Sequence, residues 1–589
     1  MLKKLPVLSI SLAILLTGCG TTIETTMTKK WEKERIFDSE EDKSFSQMYM
    51  TDDGSAVTVI SPGGVQAVNV EGETIAEEKR ADFYTTFLNE NTGLDRLTDK
   101  VTYIYIPHRH ALLEFNYASF SESVSYIDLE NKNVKWMADD LKWSLERYQA
   151  FARSLSKGLN FGGQLATGAA AEVMLPERFV GNLTRIIPEL DAFIFKTLDG
   201  LKLISLKDGS VIWTNNKFDG GLVEIIYDKP SNSLVAVNRD DDAFAVKGLQ
   251  FNKQLMRIDA STGQTIWENS YDGNIREKLD GVGVWADRRT DIRLKDGNIM
   301  INFLNVEVYD FETGEKHWQT TTGNDKLLDM VAPEMQVMNL FAFPEIEDGK
   351  LYCVTHENTS LGGVDVVIEA YDYDSGNLLW KTDKITRNDP VNDMVVEGDH
   401  LIASTTASEG IIAFDLSTGE EVWQYTGFGK HGIQFKMEKA NGTVIAAGFG
   451  NIVSLNTDNG EPIYKLSTSD IGLGDLNDMD KKGNALLVSG SKGFGSFDLS
   501  DGSEKASIPT PSGGIMNIHE SQGLVLIQPK PNYGDAKYPV DDAYHLVDLQ
   551  NEMLLGTLGN GNRRGVQVSP DFSHLYVLTN GKIMMYSAN

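Results

Sequence analysis

The sequence predicts an all-β chain folded as one β-propeller of four-stranded blades, interrupted by a helical insertion. Three observations carry that prediction. A short phrase, Asp-x-x-Thr-Gly-x-x-x-Trp, returns along the chain and is best kept from Asp415 through Gly419 to Trp423. The turn glycines Gly209, Gly263, Gly314, Gly376, Gly419, Gly460 and Gly502 are spaced by 54, 51, 62, 43, 41 and 42 residues. A period near the shorter of these values, with strands between turns, is that of one propeller blade. Between the turns apolar and polar residues alternate, as at 401–404 and 410–414, which is the period of a half-buried strand.

Each residue of the phrase has a local task. The Asp side chain can accept hydrogen bonds from amides two or three residues ahead and so close a turn. Thr adds a hydroxyl bond, and Gly takes a positive φ without strain. Trp, four residues beyond Gly on the next strand, offers a flat surface to the neighbouring blade, worth roughly 2–3 kcal/mol of burial at each seam. The turn-forming residues are Asp259 and Gly263, Asp310 and Gly314, Asp372 and Gly376, and Asp415 and Gly419. The seam residues are Trp136, Trp213, Trp267, Trp318, Trp380 and Trp423, six of the nine tryptophans. Decayed copies run over 456–464, 498–506 and 548–556.

The N-terminus is of another kind. Lys3 and Lys4 precede an apolar run over 5–16, too short to span a bilayer, that ends in Leu16-Thr17-Gly18-Cys19. This predicts a signal peptide over 1–18. The four residues resemble the bacterial lipobox, which implies lipid attachment at Cys19. Gly20, rather than Asp, follows it, and by the same resemblance this favours the outer membrane, facing the periplasm. Residues 19–44 are polar and read as a flexible tether, leaving 45–589 as the propeller domain.

Strand signals follow in order at 47–50, 56–60, 65–70, 101–107, 110–117 and 123–128, with 79–99 helical and loop-like. Near 138–180 the pattern changes. Leu141, Leu145, Tyr148, Ala152 and Leu155 recur at helical spacing, and a Gly/Ala-rich stretch follows. Such an insertion either projects as a recognition element or covers a sheet edge. At the end, 565–568, 574–579 and 582–587 read as three strands without a closing turn. A three-strand tail with a strand-rich N-terminus fits ring closure, the two chain ends completing one blade.

Composition narrows the function. The formal net charge is −31, a surface that repels phosphate backbones, so nucleic acid is not an expected partner. The two cysteines, Cys19 and Cys353, leave no disulfide framework once the first is lipidated. Cys353, in an apolar strand, reads as a small buried hydrophobe. His108-Arg109-His110 would set two imidazoles on one face of a strand, but no further ligand type stands at metal spacing. Asp475-x-Asn477-Asp478 lacks the order of a calcium loop, and its echo at Asn392-Asp393 marks it as the start of a blade. No metal site and no catalytic residue is assigned.

The stretches 413–423 and 370–380, reading Ala-x-Asp-x-x-Thr/Ser-Gly-x-x-x-Trp, resemble the tryptophan-docking motif of PQQ-type propellers. The resemblance runs from about residue 100 to about 560. It implies about eight blades, the usual number for this repeat. Nine turn copies, one early unit at 65–73 and the tail can be counted, which allows up to ten. The family includes quinoprotein dehydrogenases and the non-catalytic BamB-type lipoproteins of outer-membrane assembly. Many of the dehydrogenases carry adjacent cysteines, absent from this chain. The resemblance therefore implies a lipid-anchored envelope scaffold that binds other cell-envelope proteins and needs no cofactor. The alternative is a dehydrogenase of alcohols or sugars using PQQ with calcium.

Overall fold

Where apolar and polar residues alternate between Asp- and Gly-rich turns, the chain forms antiparallel sheets of four strands, A to D. A computed structural model describes residues 23–36, 47–79, 101–116, 123–141, 184–239, 252–321, 342–529 and 543–587, with short gaps inside these spans. Its four- and five-stranded sheets make eleven blades, not about eight. Blades 1 to 10 span 47–79, 101–138, 184–215, 222–269, 291–321, 345–381, 391–425, 434–467, 476–509 and 514–559. Blade 11 combines 566–587 with the strand Thr28–Glu34. Among the described residues there is no α-helix.

The eleven blades close into a ring. A strands of neighbouring blades approach one another, placing them on the inside. Each seam has its own buried apolar cluster. Val65 and Ala67 meet Tyr103 and Leu112 between blades 1 and 2, and Leu487 and Phe494 meet Val525 and Val547 between blades 9 and 10. Leu526 and Leu546 meet Val566 and Leu575 between blades 10 and 11. The last seam joins Met48 and Val57 of blade 1 to Tyr576 and Ile583 of blade 11. A closed ring leaves no blade face without a neighbour, which is how many small sheets share one continuous core.

The blade number departs from expectation for a local reason. All nine turn copies, the early unit and the tail each form a blade. Blade 2 turns through Asp128 and Asn131, whose amide bonds the Asp128 carboxylate at 2.8 Å, with no glycine. Blade 11 has no C–D turn, because its D strand comes from the other end of the chain. These units lack the best-kept letters of the phrase but keep its sheet.

Two strands arise within 19–44, the stretch read as a tether. Thr28–Glu34 pairs antiparallel with Lys582–Ser587 as the outer strand of blade 11, and Ile23–Thr25 adds a fifth strand to blade 10. Lys30, Glu32 and Glu34 are charged and Trp31 is the only large apolar residue of Thr28–Glu34. That composition suits an outermost strand with one anchor, and it hides the strand from a hydropathy reading.

The helical insertion expected near 138–180 lies outside the described residues except at its start. There the D strand Asn133–Ala138 runs on to Leu141, which is buried in the seam between blades 2 and 3. The expected strand pair of imidazoles is not formed. Pro107 fixes φ and lacks an N–H, and Pro107–Arg109 is a 3₁₀ turn after which His110 takes φ 43°. The same turn recurs in blade 3 at Pro188–Leu190 with Asp191 at φ 50°. Arg109 of the first turn donates from Nε to Asp191 of the second at 2.8 Å, tying the two blades.

Candidate functional site: the blade seams and a polar cleft

The repeated phrase places its residues at the outer part of each seam. Asp415 Oδ1 accepts from the amides of Ser417 and Thr418, both at 2.9 Å, and Gly419 N–H donates to Asp415 O at 2.8 Å. Asp259 holds the amides of Ser261 and Thr262 in the same way at 3.0 and 2.8 Å. Asp310 takes the amide of Thr313 at 2.6 Å and Asp372 that of Ser375 at 2.8 Å. The hydroxyl bond from Ser417 is the largest cause that holds the Asp415 carboxyl below the usual range, and Ser375 does the same for Asp372.

Gly263, Gly314, Gly376 and Gly419 take φ of 72°, 74°, 67° and 73°. Each lies under the indole of the preceding blade. A Cβ there would meet Trp213, Trp267, Trp318 and Trp380 at 2.1–2.5 Å. Each indole Nε1 donates to the carbonyl of the residue after the turn Asp: Trp213 to Ala260 at 2.8 Å, Trp267 to Phe311 at 3.0 Å, Trp318 to Tyr373 and Trp380 to Leu416 at 2.9 Å. Trp136 and Trp423 make the same contact on Leu206 and Thr457 over Gly209 and Gly460. A seventh tryptophan, Trp31, donates to Val70 O at 2.7 Å and lies on Gly72. Sequence reasoning missed it because its strand precedes the blade it completes. The signal was an Asn69-Val-Glu-Gly72 turn with Trp31 the one tryptophan ahead of it in the sequence given.

A second missed pair consists of Glu307 and Glu369. Both stand in the motif Glu-x-Tyr-Asp on the C strands Asn305–Asp310 and Val364–Asp372, in blades 5 and 6. In the seam between blades 4 and 5, Glu307 is fully buried and fully engaged. Its Oε1 accepts from the amides of Asp272 and Gly273 at 2.9 and 2.7 Å and from Asn305 Nδ2 at 2.9 Å. Its Oε2 takes the Tyr309 hydroxyl at 2.5 Å and lies 2.8 Å from Lys316 Nζ. Burial, then the carboxylate beside it, pushes the Tyr309 hydroxyl up, so that it remains a donor.

One blade further on, Glu369 faces a cleft of about 470 Å³ instead, lined by Gln319, Thr320, Thr355, His356 and Glu357 among others. Glu369 accepts from the Tyr371 hydroxyl at 2.5 Å and lies 3.3 Å from Lys381 Nζ. Lys381 is shared with Glu357 at 2.6 Å. The Tyr371 ring stacks on Trp318 with centroids 5.1 Å apart, so the cleft abuts the seam itself. Thr355 is 5% exposed, and its hydroxyl has no partner among the described residues.

Cys19 lies outside the described residues. Cys353 is fully buried, and burial pushes its thiol well up, leaving it an inert thiol. Among the described residues no group of three or more His, Cys, Asp and Glu could hold a metal ion. No helix among them is long and apolar enough to cross a membrane.

The ring of four-stranded blades and the indole-on-glycine seams define a β-propeller of PQQ-type repeats. Residues 199–335 match the family described as outer membrane protein assembly factor BamB, and the chain resembles BamB. No curated protein sequence matches it. Among solved structures it is similar to BamB from Moraxella catarrhalis, at 13% identity over 69% of this chain and 96% of that one, with a TM-score of 0.32. It is also similar to the computationally designed Ika8 protein, at 12% identity over 64% of this chain and 99% of that one, with a TM-score of 0.35. A eukaryotic initiation factor gives 9% identity over 64% and 87%, with a TM-score of 0.38.

Proposed function

We propose that this chain is a lipid-anchored scaffold of the cell envelope that binds other envelope proteins. The match of residues 199–335 to the BamB family carries the reading. The ring supports it physically. It holds loops of many blades on one rigid frame, and outer strands present backbone groups to which a partner strand can add. The strand Ile23–Thr25 occupies one such edge, on Met553–Gly559 of blade 10. Lipid at Cys19 would hold the ring at the membrane, on the outer membrane facing the periplasm by the resemblance of its leader. A role in outer-membrane protein assembly is the corresponding task.

Affinity capture from gently solubilised envelopes tests the scaffold: a defined set of partners is expected, and recovery of background alone would reject it. Labelling with a radioactive fatty acid tests the anchor, with incorporation expected in the intact chain and abolished in Cys19→Ala. Titration with PQQ and calcium, followed by absorbance and dye reduction with alcohols and sugars, is expected to stay flat. A bound-quinone spectrum would favour the dehydrogenase.

A further inference from the structure

We propose that the outer rim of blades 10 and 11 is a membrane-facing surface, at which the ring rests on a phospholipid bilayer. The proposal rests on the lipid anchor of the scaffold reading and states which part of the ring that anchor brings to the membrane. The first observation is where the N-terminal chain is fastened. Ile23–Thr25 lies on the D strand of blade 10, with Ile23 opposite Leu558 and Thr25 opposite Gly556. Thr28–Glu34 then completes blade 11, and this strand is held from both sides. Trp31 donates to Val70 O of blade 1, and Gln66 Nε2 of the same blade donates to Glu34 O at 3.0 Å. From blade 11, Lys582 Nζ reaches Glu32 and Glu34 at 2.7 and 3.5 Å.

Reach decides the geometry. From Cys19 to Ile23 is four residues, which span at most about 14 Å when fully extended. A compact chain of 589 residues has a radius of gyration of about 25 Å, so a lipid at Cys19 meets the bilayer only beside the rim where Ile23 is paired. Residues 19–44 as free coil would instead have an end-to-end distance of about 25–30 Å and would let any side of the ring turn to the membrane. Charge agrees with reach. Blade 11 with its D strand has Lys29, Lys30, Lys33 and Lys582 against Glu32, Glu34 and Asp571, in a chain of net charge −31. Lys29 and Lys30 are exposed on that strand. Blade 6, across the ring in blade order, has two lysines and eight carboxylates over 345–381. An anionic lipid surface attracts the first and repels the second within a Debye length. The seat therefore leaves blades 5 and 6 farthest from the lipid.

The test uses the intact lipidated chain on the outside of vesicles of phosphatidylethanolamine and phosphatidylglycerol, beside a variant with twenty Gly/Ser residues inserted between Gly20 and Thr21. The insertion leaves every paired residue unchanged, so the fold is not at issue. Amine acylation by a membrane-impermeant reagent, followed residue by residue by mass spectrometry, compares Lys30 with Lys384, which is exposed just after the D strand of blade 6. Lys30 is expected to react at least threefold more slowly in the natural chain than in the lengthened one, with Lys384 reacting equally in both. Equal rates at Lys30 in the two chains would overturn the proposal, as would slowing at Lys384 instead. Fatty-acid labelling separates this proposal from the reading beneath it. Incorporation together with equal rates at Lys30 leaves the anchor standing and removes the seat. No incorporation at Cys19 removes the anchor, and the seat with it.

Discussion

Seven seams of the ring carry a tryptophan laid on a glycine, and four do not. From blade 2 to blade 8 the contact repeats six times, and Trp31 makes it once more between blades 11 and 1. Between blades 8 and 9 the indole is replaced by Tyr464 on Gly502. Between blades 9 and 10 the corresponding position is Ala506, and the partner turn has no glycine. The undocked seams still have buried clusters, such as Leu487, Phe494 and Val525. The phrase is thus an addition to blade packing rather than its condition. A sheet that buries both faces against neighbours holds its place by apolar area alone, and the indole adds a directional bond that fixes register.

That contrast can be broken in several ways. Deleting 23–36 removes the closing strand together with Trp31, and the expected loss exceeds the single-side-chain scale of about 3–5 kcal/mol. Thermal unfolding and native mass should show an open, self-associating ring. Trp423→Ala is expected to cost about 3–5 kcal/mol in denaturant titration, because the buried indole leaves a cavity beside Gly460. Ala506→Gly, in the undocked seam, is expected to cost no more than about 1 kcal/mol. Similar values for the two would mean the indole seams are not special.

A pH titration reaches the inner wall. Burial raises the Asp393 carboxyl to about 6, while its two oxygens accept from the amides of Met394 and Met437 at 3.0 and 2.9 Å. The unfolded value is near 3.9, so the stabilising contribution is complete below about pH 4 and is lost as pH rises through 6, by roughly 2–3 kcal/mol. Carbon NMR of the carboxyl should show the titration, and Asp393→Ala should remove that share of the pH dependence. Gly419→Ala is a gentler change than the loss of an indole. Its Cβ would lie 2.4 Å from Trp380 with φ at +73°, for an expected cost of about 1–3 kcal/mol in thermal melts.

Strand positions such as Gln47–Met50, Ser123–Asp128 and Lys582–Ser587 were legible because a short run of strand-forming residues is a local signal. The blade number was not, although every unit was visible. Units that turn through Asn131 or close through a strand from the far end keep the sheet without the phrase, and the family's usual number outweighed the tally. Trp31 was hidden because sequence order says nothing about a strand that completes the last blade. Glu307 and Glu369 were legible as a repeated Glu-x-Tyr-Asp, yet their difference was not. It lies in the tertiary setting, Glu307 buried beneath the amides of Asp272 and Gly273 and Glu369 lining a cleft.

The closing pair Lys582 and Glu32, 2.7 Å apart across 550 residues of chain, sets an order of events. The early strand Thr28–Glu34 cannot find its place until Lys582–Ser587 has emerged. Throughout that interval Thr28–Glu34 lacks its partner strand, and ring closure awaits the pairing most distant in sequence among the described residues. Such long-range pairing is slow to form. The chain's most vulnerable moment is therefore just before completion, when ten blades stand assembled around an unfinished eleventh.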